Sequence, residues 1–479
     1  MTCLAIGSEQ IPIPRFLFLS EASMKIKRKK KVVQIPKLES LKQINLNAAG
    51  VDVGASELYV CVPEDRDPKP VRVFQTFTCD LQNIVAWLKQ CGVTSVAMES
   101  TGIYWIPLYE VLEAAGFEVK LINAREAKNL PGRKSDILDC QWIQQLHSYG
   151  LLMASFRPPK DIVALRSLVR HRDRLIVARA VHIQHMQKAL HLMNLQIDNV
   201  LSDITGVTGM RILRALVAGE RDLDLLASYR DPSCKNTAAV IRQSLEGNYQ
   251  EEHLFQLRQS LELYDYHTTM IQECDREIEK MYQQLPSRVD PQLKPLPPSK
   301  KQQKKPRKNA PTFDLRSCLY EMAGVDLTAI DGCNAATIQV VLSETGVDMQ
   351  PWQTCGRFTS WLGLSPHNDV SGGKVLRSRA KKTKNRANTA LRLAAQGLTH
   401  SDSWLGAYYR RQRARLGAPK AIIATAHKIA RIIYYMLKYR REFVDMGADH
   451  YEAQHQKRQI RSLVKKAASL GLLLVPAEA

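Results

Sequence analysis

No stretch of the 479-residue sequence reaches the ~18 consecutive apolar residues that a membrane-crossing helix needs, so no membrane partner is expected. The start also reads as a poor secretory leader. Ile11, Ile13 and residues 16–19 are apolar, but no basic segment precedes them and no small-residue cleavage site follows. Met24 is followed by Lys25, Lys27 and four further basic residues at 28–31, which makes it an alternative translation start with residues 1–23 as an upstream extension. The ten cysteines, scattered from Cys3 to Cys355, include no C-x-x-C pair and no close Cys/His cluster. That excludes a zinc ribbon and fits thiols kept reduced in a cytoplasm. His182 and His185 have no further ligands nearby in sequence and read as surface or core histidines.

The other shortage is of acid. Lys and Arg number 68 against 47 Asp and Glu, a formal net charge of +21. Such an excess favours a polyanionic partner, because cations placed along a phosphate backbone release its condensed counterions. Hydrophobic residues make up 45% of the chain, enough for real cores, and the length calls for two or three domains.

Residues 1–43 read as a basic extension. Over 44–150, short apolar runs alternate with helical patterns. A hairpin is expected around Gly54-Ala55, then a strand at Val71–Phe77, a helix at Leu81–Gln90 and a strand at Ser95–Met98. A helix at Pro107–Ala115, a strand at Glu118–Ile122 and a helix at Ser135–His147 complete an α/β domain. From 151 to 285 the pattern becomes heptad. Ile162, Val169, Ile176, Ile183, Leu190 and Ile197 recur every seven residues, with Arg172 and Arg179 interrupting the companion positions. A second seam runs from Leu254 to Tyr282. The strict spacing favours a coiled coil, formed within one chain or between chains, over an ordinary bundle. Residues 286–312, rich in Pro, Lys and Gln, read as a linker. A mostly helical domain follows over 313–450, with a helix-hairpin-helix across Ala323–Ser343 of the kind whose amides face a phosphate. Residues 451–479 form a tail.

Four acids carry the chemistry. Asp52 sits inside an apolar strand, where an unpaired carboxylate is costly. Glu99 ends another apolar strand. Asp136 and Asp139 are three apart on a helix and so share a face. Converging, the four would suit hard divalent cations such as Mg²⁺, with Mn²⁺ as the alternative, and two such ions can serve both oxygens of a phosphoryl transfer. Arg133 and Lys134 directly precede the acidic pair and suit phosphate approach or ion pairing. Ser371-Gly372-Gly373-Lys374 is a second constellation. Seven basic residues follow Ser371 with no intervening acid: Lys374, Arg377, Arg379, Lys381, Lys382, Lys384 and Arg386. By itself this is a glycine turn beside a basic nucleic-acid-binding loop, since a hydroxyl is a weak nucleophile until it is activated.

At these residues the chain resembles the insertion-sequence 110 family of transposases, particularly its longer subgroup. The resemblance rests on GVDVGASELYVCV, VAMESTGIYWIPLYEVLEAAGFEVKLINA, PGRKSDILDCQWIQQLHSYGLL and SFRP. In the second half it rests on GVDLTAIDG, RFTSWLGLSPHNDVSGGK and LRLAAQGLTHSDSWLGAYYRR. Together these span most of residues 48–445. The resemblance implies an RNase H-like, RuvC-like N-terminal domain with a D-E-D-D cluster, here Asp52, Glu99, Asp136 and Asp139. It implies a C-terminal transposase domain whose serine forms a covalent phosphoserine with DNA; the matching position is Ser371, with Ser365 and Ser378 nearby. It further implies donor and target DNA as substrates, an element-encoded guide RNA, a homo-oligomer (dimer or tetramer), and a bacterial cytoplasmic, nucleoid-associated setting. The basic extension and the Lys/Pro linker depart from the family pattern. The rival reading is a resolvase-type two-metal nuclease that attacks with water. A sugar-kinase-like phosphate loop at GVDVGAS lacks a second phosphate motif, and a purely architectural protein does not explain the acids.

Overall fold

The computed structural model describes residues 42–100, 102–123, 136–299, 308–380 and 383–475, and the chain divides into two compact units, residues 1–156 and 157–479. In the first unit the expected hairpin is present. β1 (Ala48–Val53) pairs antiparallel with β2 (Glu57–Cys61), and the Gly54 amide donates to the Glu57 carbonyl at 3.0 Å to close the turn. β3 (Val71–Gln75) extends the sheet antiparallel to β2 and ends two residues before the expected limit. The helix α1 (Thr78–Gln90), the strand β4 (Ser95–Glu99), the helix α2 (Trp105–Ala114) and the strand β5 (Glu118–Ile122) follow. β4 runs parallel to β1, and β5 runs parallel to β4. The order β3-β2-β1-β4-β5 is consistent with an RNase H-like fold.

Side chains alternate across a sheet, and here the alternation divides the labour. Val51, Val53, Leu58, Val60, Val96 and Met98 form the main core with Ile84 and Leu88 of α1 and Leu108 and Leu112 of α2. On the opposite face Ala97 and Ile122 pack against Ile143 of α3 (Asp136–Ser148). The far end of α3 is pinned by His147. Its Nε2 lies 2.9 Å from the Ser95 hydroxyl, and its backbone carbonyl accepts from the Asn45 side chain at 2.7 Å.

In the second unit α4 (Lys160–Leu192) carries the first seam. The seam was expected to continue through Ile197 on one helix. Instead α4 stops at Leu192, and Asn194 takes a left-handed conformation with φ of 58°. Ile197 and Val200 lie on a separate short helix, α5 (Ile197–Val200). The physical reason is a second core. Ile197 leaves the seam to join Leu195, Ile212, Leu213, Leu216 and Ile241, buried among α6 (Val207–Val217), α7 (Leu223–Ser228) and α8 (Ala238–Ser244).

The second seam lies on α9 (Glu251–Gln284), which packs antiparallel on α4 within the chain. Both interrupting arginines are buried and answered across the interface. The Arg172 guanidinium donates to both carboxylate oxygens of Asp275, a seam residue 1% exposed, and to the Asn309 carbonyl at 3.1 Å. Arg179 donates to the Thr268 hydroxyl at 3.2 Å and to the Asn309 side-chain oxygen at 2.7 Å.

The remaining helices are α10 (Leu315–Ala323), α11 (Ala335–Thr345), α12 (Cys355–Trp361), α13 (Arg386–Gln396), α14 (Trp404–Leu416), α15 (Ala418–Tyr439) and α16 (Gly447–Ser469). Between α10 and α11 the turn holds Gly332 at φ of 84°, where a Cβ would lie 2.6 Å from the Ala394 carbonyl. Packing against α13 therefore requires that glycine. One feature departs from the mostly helical expectation: β6 (Pro366–Ser371) and β7 (Lys374–Ala380) form a two-stranded hairpin. Among the described residues no helix is long and apolar enough to cross a membrane.

Two outcomes follow. Asp275→Ala strands a buried guanidinium and should cost roughly 3–5 kcal/mol in chemical denaturation, whereas Arg172→Met with Asp275→Leu should recover most of it; equal losses in the single and double variants would contradict this. Burial, aided by the Lys120 charge and opposed by Glu118, holds the His147 imidazole down to about 4. The unfolded chain then binds a proton below its ordinary pKa of about 6.5 while the native state does not. Stability is complete above that value and falls as the pH drops toward 4, by about 3 kcal/mol in all. Unfolding of His147→Gln followed against pH should lack that component.

Candidate active site

Three of the four acids meet. Asp52, near the end of β1, shares the α3 face of the sheet, because the core residues Val51 and Val53 on either side of it point the other way. Asp136 and Asp139 occupy the first turn of α3, where the helix dipole favours carboxylates. What brings the helix to the strand is Gly50. A Cβ there would stand 2.2 Å from the Gln144 amide nitrogen and 2.5 Å from the Cys140 carbonyl oxygen, so backbone packs directly on backbone. The Gln144 side chain adds a 3.2 Å donation to the Ala48 carbonyl. One helical turn on from that contact, carboxylate oxygens of Asp52, Asp136 and Asp139 lie within 4.8 Å of one another.

Oxygens on opposite sides of one Mg²⁺ stand about 4.2 Å apart, so small side-chain movements suffice to close the three on a single cation. The donor set, all carboxylate oxygen, suits a hard divalent ion. Glu99 does not belong to that group of three. It is 3% exposed at the end of β4. The parallel pairing of Val51 with Met98, extended by one residue, places Glu99 beside Asp52 on the same face.

Two neighbours of the cluster went unrecognised in the sequence. Tyr59 is the cross-strand partner of Asp52. Its hydroxyl donates to Glu57 at 2.8 Å, and that bond, with burial and the charges of Glu57, Asp136 and Asp52, raises its pKa and keeps it protonated. The Cys140 thiol on α3 donates to the Ile137 carbonyl at 3.2 Å; the neighbouring Cys61 thiol on β2, then burial and the Asp52 charge, push the Cys140 thiol up. The hairpin register around Gly54 is the signal that would have placed both Tyr59 and Cys61 on the acidic face. Arg133 and Lys134 lie outside the described residues.

In the second unit Ser371 ends β6, directly across from Lys374, with Gly372 and Gly373 between them at φ of 55° and 76°. Positive φ at both central residues defines a type I′ turn, for which a Gly-Gly pair is well suited. That dipeptide between extended runs was the available signal for the hairpin. Ser371, Lys374, Arg377, Arg379 and Lys384 are exposed, while Lys381 and Lys382 lie outside the described residues. Arg386 is held differently: it pairs with Asp173 and approaches Glu344 at 4.0 Å, and Glu344 also accepts two bonds from Arg170 at 2.7 and 2.9 Å. The other two serines are distinguishable. The Ser365 hydroxyl is bonded to Thr359 at 2.9 Å, and Ser378 is on β7, opposite Asn368.

Residues 49–194 match the DEDD model for IS110 elements, described as a transposase, and residues 325–410 match a model described as the transposase IS116/IS110/IS902 family. The first match covers the sheet, the acidic face and α4; the second runs from the turn before α11 into α14 and includes the hairpin. A search of curated proteins finds no match.

Gly50→Ala should separate α3 from β1 by forcing backbone atoms apart. Titration of the full chain with Mn²⁺, followed by paramagnetic resonance, should show weaker binding, together with a stability loss of roughly 1–3 kcal/mol from overpacking. Unchanged Mn²⁺ affinity in the folded variant would disconnect the glycine from the acids.

Proposed function

The chain belongs to the IS116/IS110/IS902 family of transposases, enzymes that cut and rejoin DNA, and from that premise we propose that it works through a divalent-metal cluster on its α/β unit and a serine nucleophile on its hairpin. The convergence of Asp52, Asp136 and Asp139 carries the reading. Acids repel a phosphate backbone, so three of them held together in a chain of charge +21 make chemical sense when a cation stands between them and the DNA. Asp52, Asp136 and Asp139 hold Mg²⁺, or Mn²⁺ in its place, and Glu99 completes the set from the adjacent strand. The bound cation supplies Lewis-acid polarisation of a scissile phosphate oxygen.

Ser371 performs the displacement. Its hydroxyl gives up a proton, its oxygen forms a bond to phosphorus, and the displaced deoxyribose oxygen takes up a proton and leaves as a free hydroxyl. One phosphodiester bond is exchanged for one phosphoserine bond, so no nucleotide cofactor is consumed. A deoxyribose hydroxyl of the partner strand then attacks the phosphoserine, and the serine regains its proton. Lys374, Arg377, Arg379, Lys381, Lys382 and Lys384 neutralise the backbone around the reacting phosphate, and Arg133 and Lys134, which directly precede the acidic pair in sequence, are assigned the same role. Donor and target DNA, an element-encoded guide RNA and further copies of the chain, as a dimer or tetramer, are the partners this reading assigns. Its setting is the bacterial cytoplasm, at the nucleoid. The turn between α10 and α11 serves as a helix-hairpin-helix, and the α4–α9 pair as a coiled coil.

The test is covalent trapping. With Mg²⁺, flanking RNA and labelled junction DNA, a denaturing gel should show a band at the mass of protein plus DNA. Ser371→Ala should abolish it. Asp52→Asn should reduce cleavage by at least 100-fold while DNA binding stays within about threefold. Cleavage without a covalent band, and an active Ser371→Ala variant, would replace the serine mechanism with a two-metal nuclease using water.

A further inference from the structure

The hairpin has no fold-stabilising role that its burial can explain. Every residue from Pro366 to Arg379 is exposed, and a two-stranded hairpin by itself is marginal in water. Its register shows what the ribbon presents. Cross-strand partners share a face, and neighbours along a strand alternate. Asp369 pairs with Arg377, but Val370 pairs with Val375, so Leu376 is absorbed in a bulge. Because of that bulge, Lys374 and Arg377, three apart in sequence, fall on the same side. One face then carries Ser371, Lys374, Arg377 and Arg379, with His367 and Asp369, whose side chains approach to 3.9 Å. The other face, with Asn368, Val370, Val375 and Ser378, has no charge.

Given the reading that this chain acts on DNA, we infer that the β6–β7 ribbon enters the major groove of B-form duplex DNA with its cationic face inward. The fit is one of shape and charge. Six paired positions at about 3.4 Å each give a ribbon roughly 20 Å long. The B-form major groove, about 12 Å wide and 8.5 Å deep, admits a two-stranded ribbon. The major groove of A-form RNA is too narrow and deep for side chains to read. Three cations against one carboxylate complement the walls of phosphate. The Gly-Gly turn keeps the tip free of side chains: among the described residues nothing lies within 4 Å of where either Cβ would sit, so the tip can approach a strand closely. The ribbon thereby positions Ser371 on the face that meets the DNA.

The experiment compares the full chain with Arg377→Gln/Arg379→Gln and with Val375→Thr. Binding is measured by fluorescence anisotropy on duplex DNA and on duplex RNA of the same sequence, alongside dimethyl sulfate footprinting of guanine N7, an atom of the major groove. The double variant should bind DNA at least tenfold more weakly. Its slope of log affinity against log salt should be smaller by about 2, since each phosphate contact contributes ~0.9. Its N7 protection should be lost, while its RNA affinity stays unchanged. Val375→Thr should match the parent. Unaltered DNA binding, an equal loss on duplex RNA, or no N7 protection in the parent overturns the inference. Covalent trapping of the parent, run beside the footprint, separates the two readings: a footprint without a covalent band sinks the serine mechanism alone, and a covalent band without N7 protection sinks the ribbon alone.

Discussion

Backbone contact between β1 and α3 at Gly50 is the constraint on which the candidate chemistry depends. A strand cannot bring its own carboxylate to two more on a helix unless the two elements approach more closely than side chains normally allow. Gly50 removes the Cβ that would hold the Gln144 and Cys140 backbones away. The donation from Gln144 to Ala48 fixes the height of the helix on the strand. Asp136 and Asp139 then fall opposite Asp52 because they begin the helix, one turn above the contact. The same face carries Cys61, Tyr59 and Cys140; the bond to Glu57 raises the Tyr59 pKa, and the neighbouring Cys61 thiol, then burial and the Asp52 charge, push the Cys140 thiol up. Mutual repulsion of three carboxylates is tolerated at the edge of this packed seam because the apolar core lies on the other side of the sheet.

The second unit depends on a different kind of contact. Apolar heptads alone let two helices slide by a repeat. Arg172 with Asp275, and Arg179 with Thr268, place polar pairs at two levels of the seam, and each would be stranded in apolar surroundings by a slip. Asn309 binds both arginines and so draws the chain before α10 onto the helix pair. Further along, Glu344 of α11 gathers Arg170 of α4 and Arg386 of α13, and Asp173 also engages Arg386. The last basic residue of the run that follows Ser371 therefore anchors the helix after the hairpin, while those on β7 remain exposed.

Much of the first unit was legible because its apolar strands alternate with amphipathic helices and end in turn residues. Element boundaries there agree to within two or three residues. The heptads were legible as well, but their reach was overestimated: Ile197 and Val200 keep the spacing, yet the demand of a second core takes them off the helix. The hairpin at 366–380 was read as a basic loop because its exposed strands show no apolar alternation. Only the Gly-Gly pair marked it, and a two-residue turn gains its meaning from partners that the sequence does not align.

From sequence alone came the candidate acids, the serine with its basic neighbours, the charge that selects a nucleic-acid partner, and the family. Those are properties of residue type and order, and they survive without knowledge of packing. Tertiary structure decided which acids meet, since convergence depends on helix-to-strand distance at Gly50. It decided that the two seams pair with each other, since the buried arginines find their acceptors across that interface. It decided that Lys374, Arg377 and Arg379 share one face of a ribbon, because the bulge at Leu376 corrects an alternation that sequence spacing alone would assign to opposite sides.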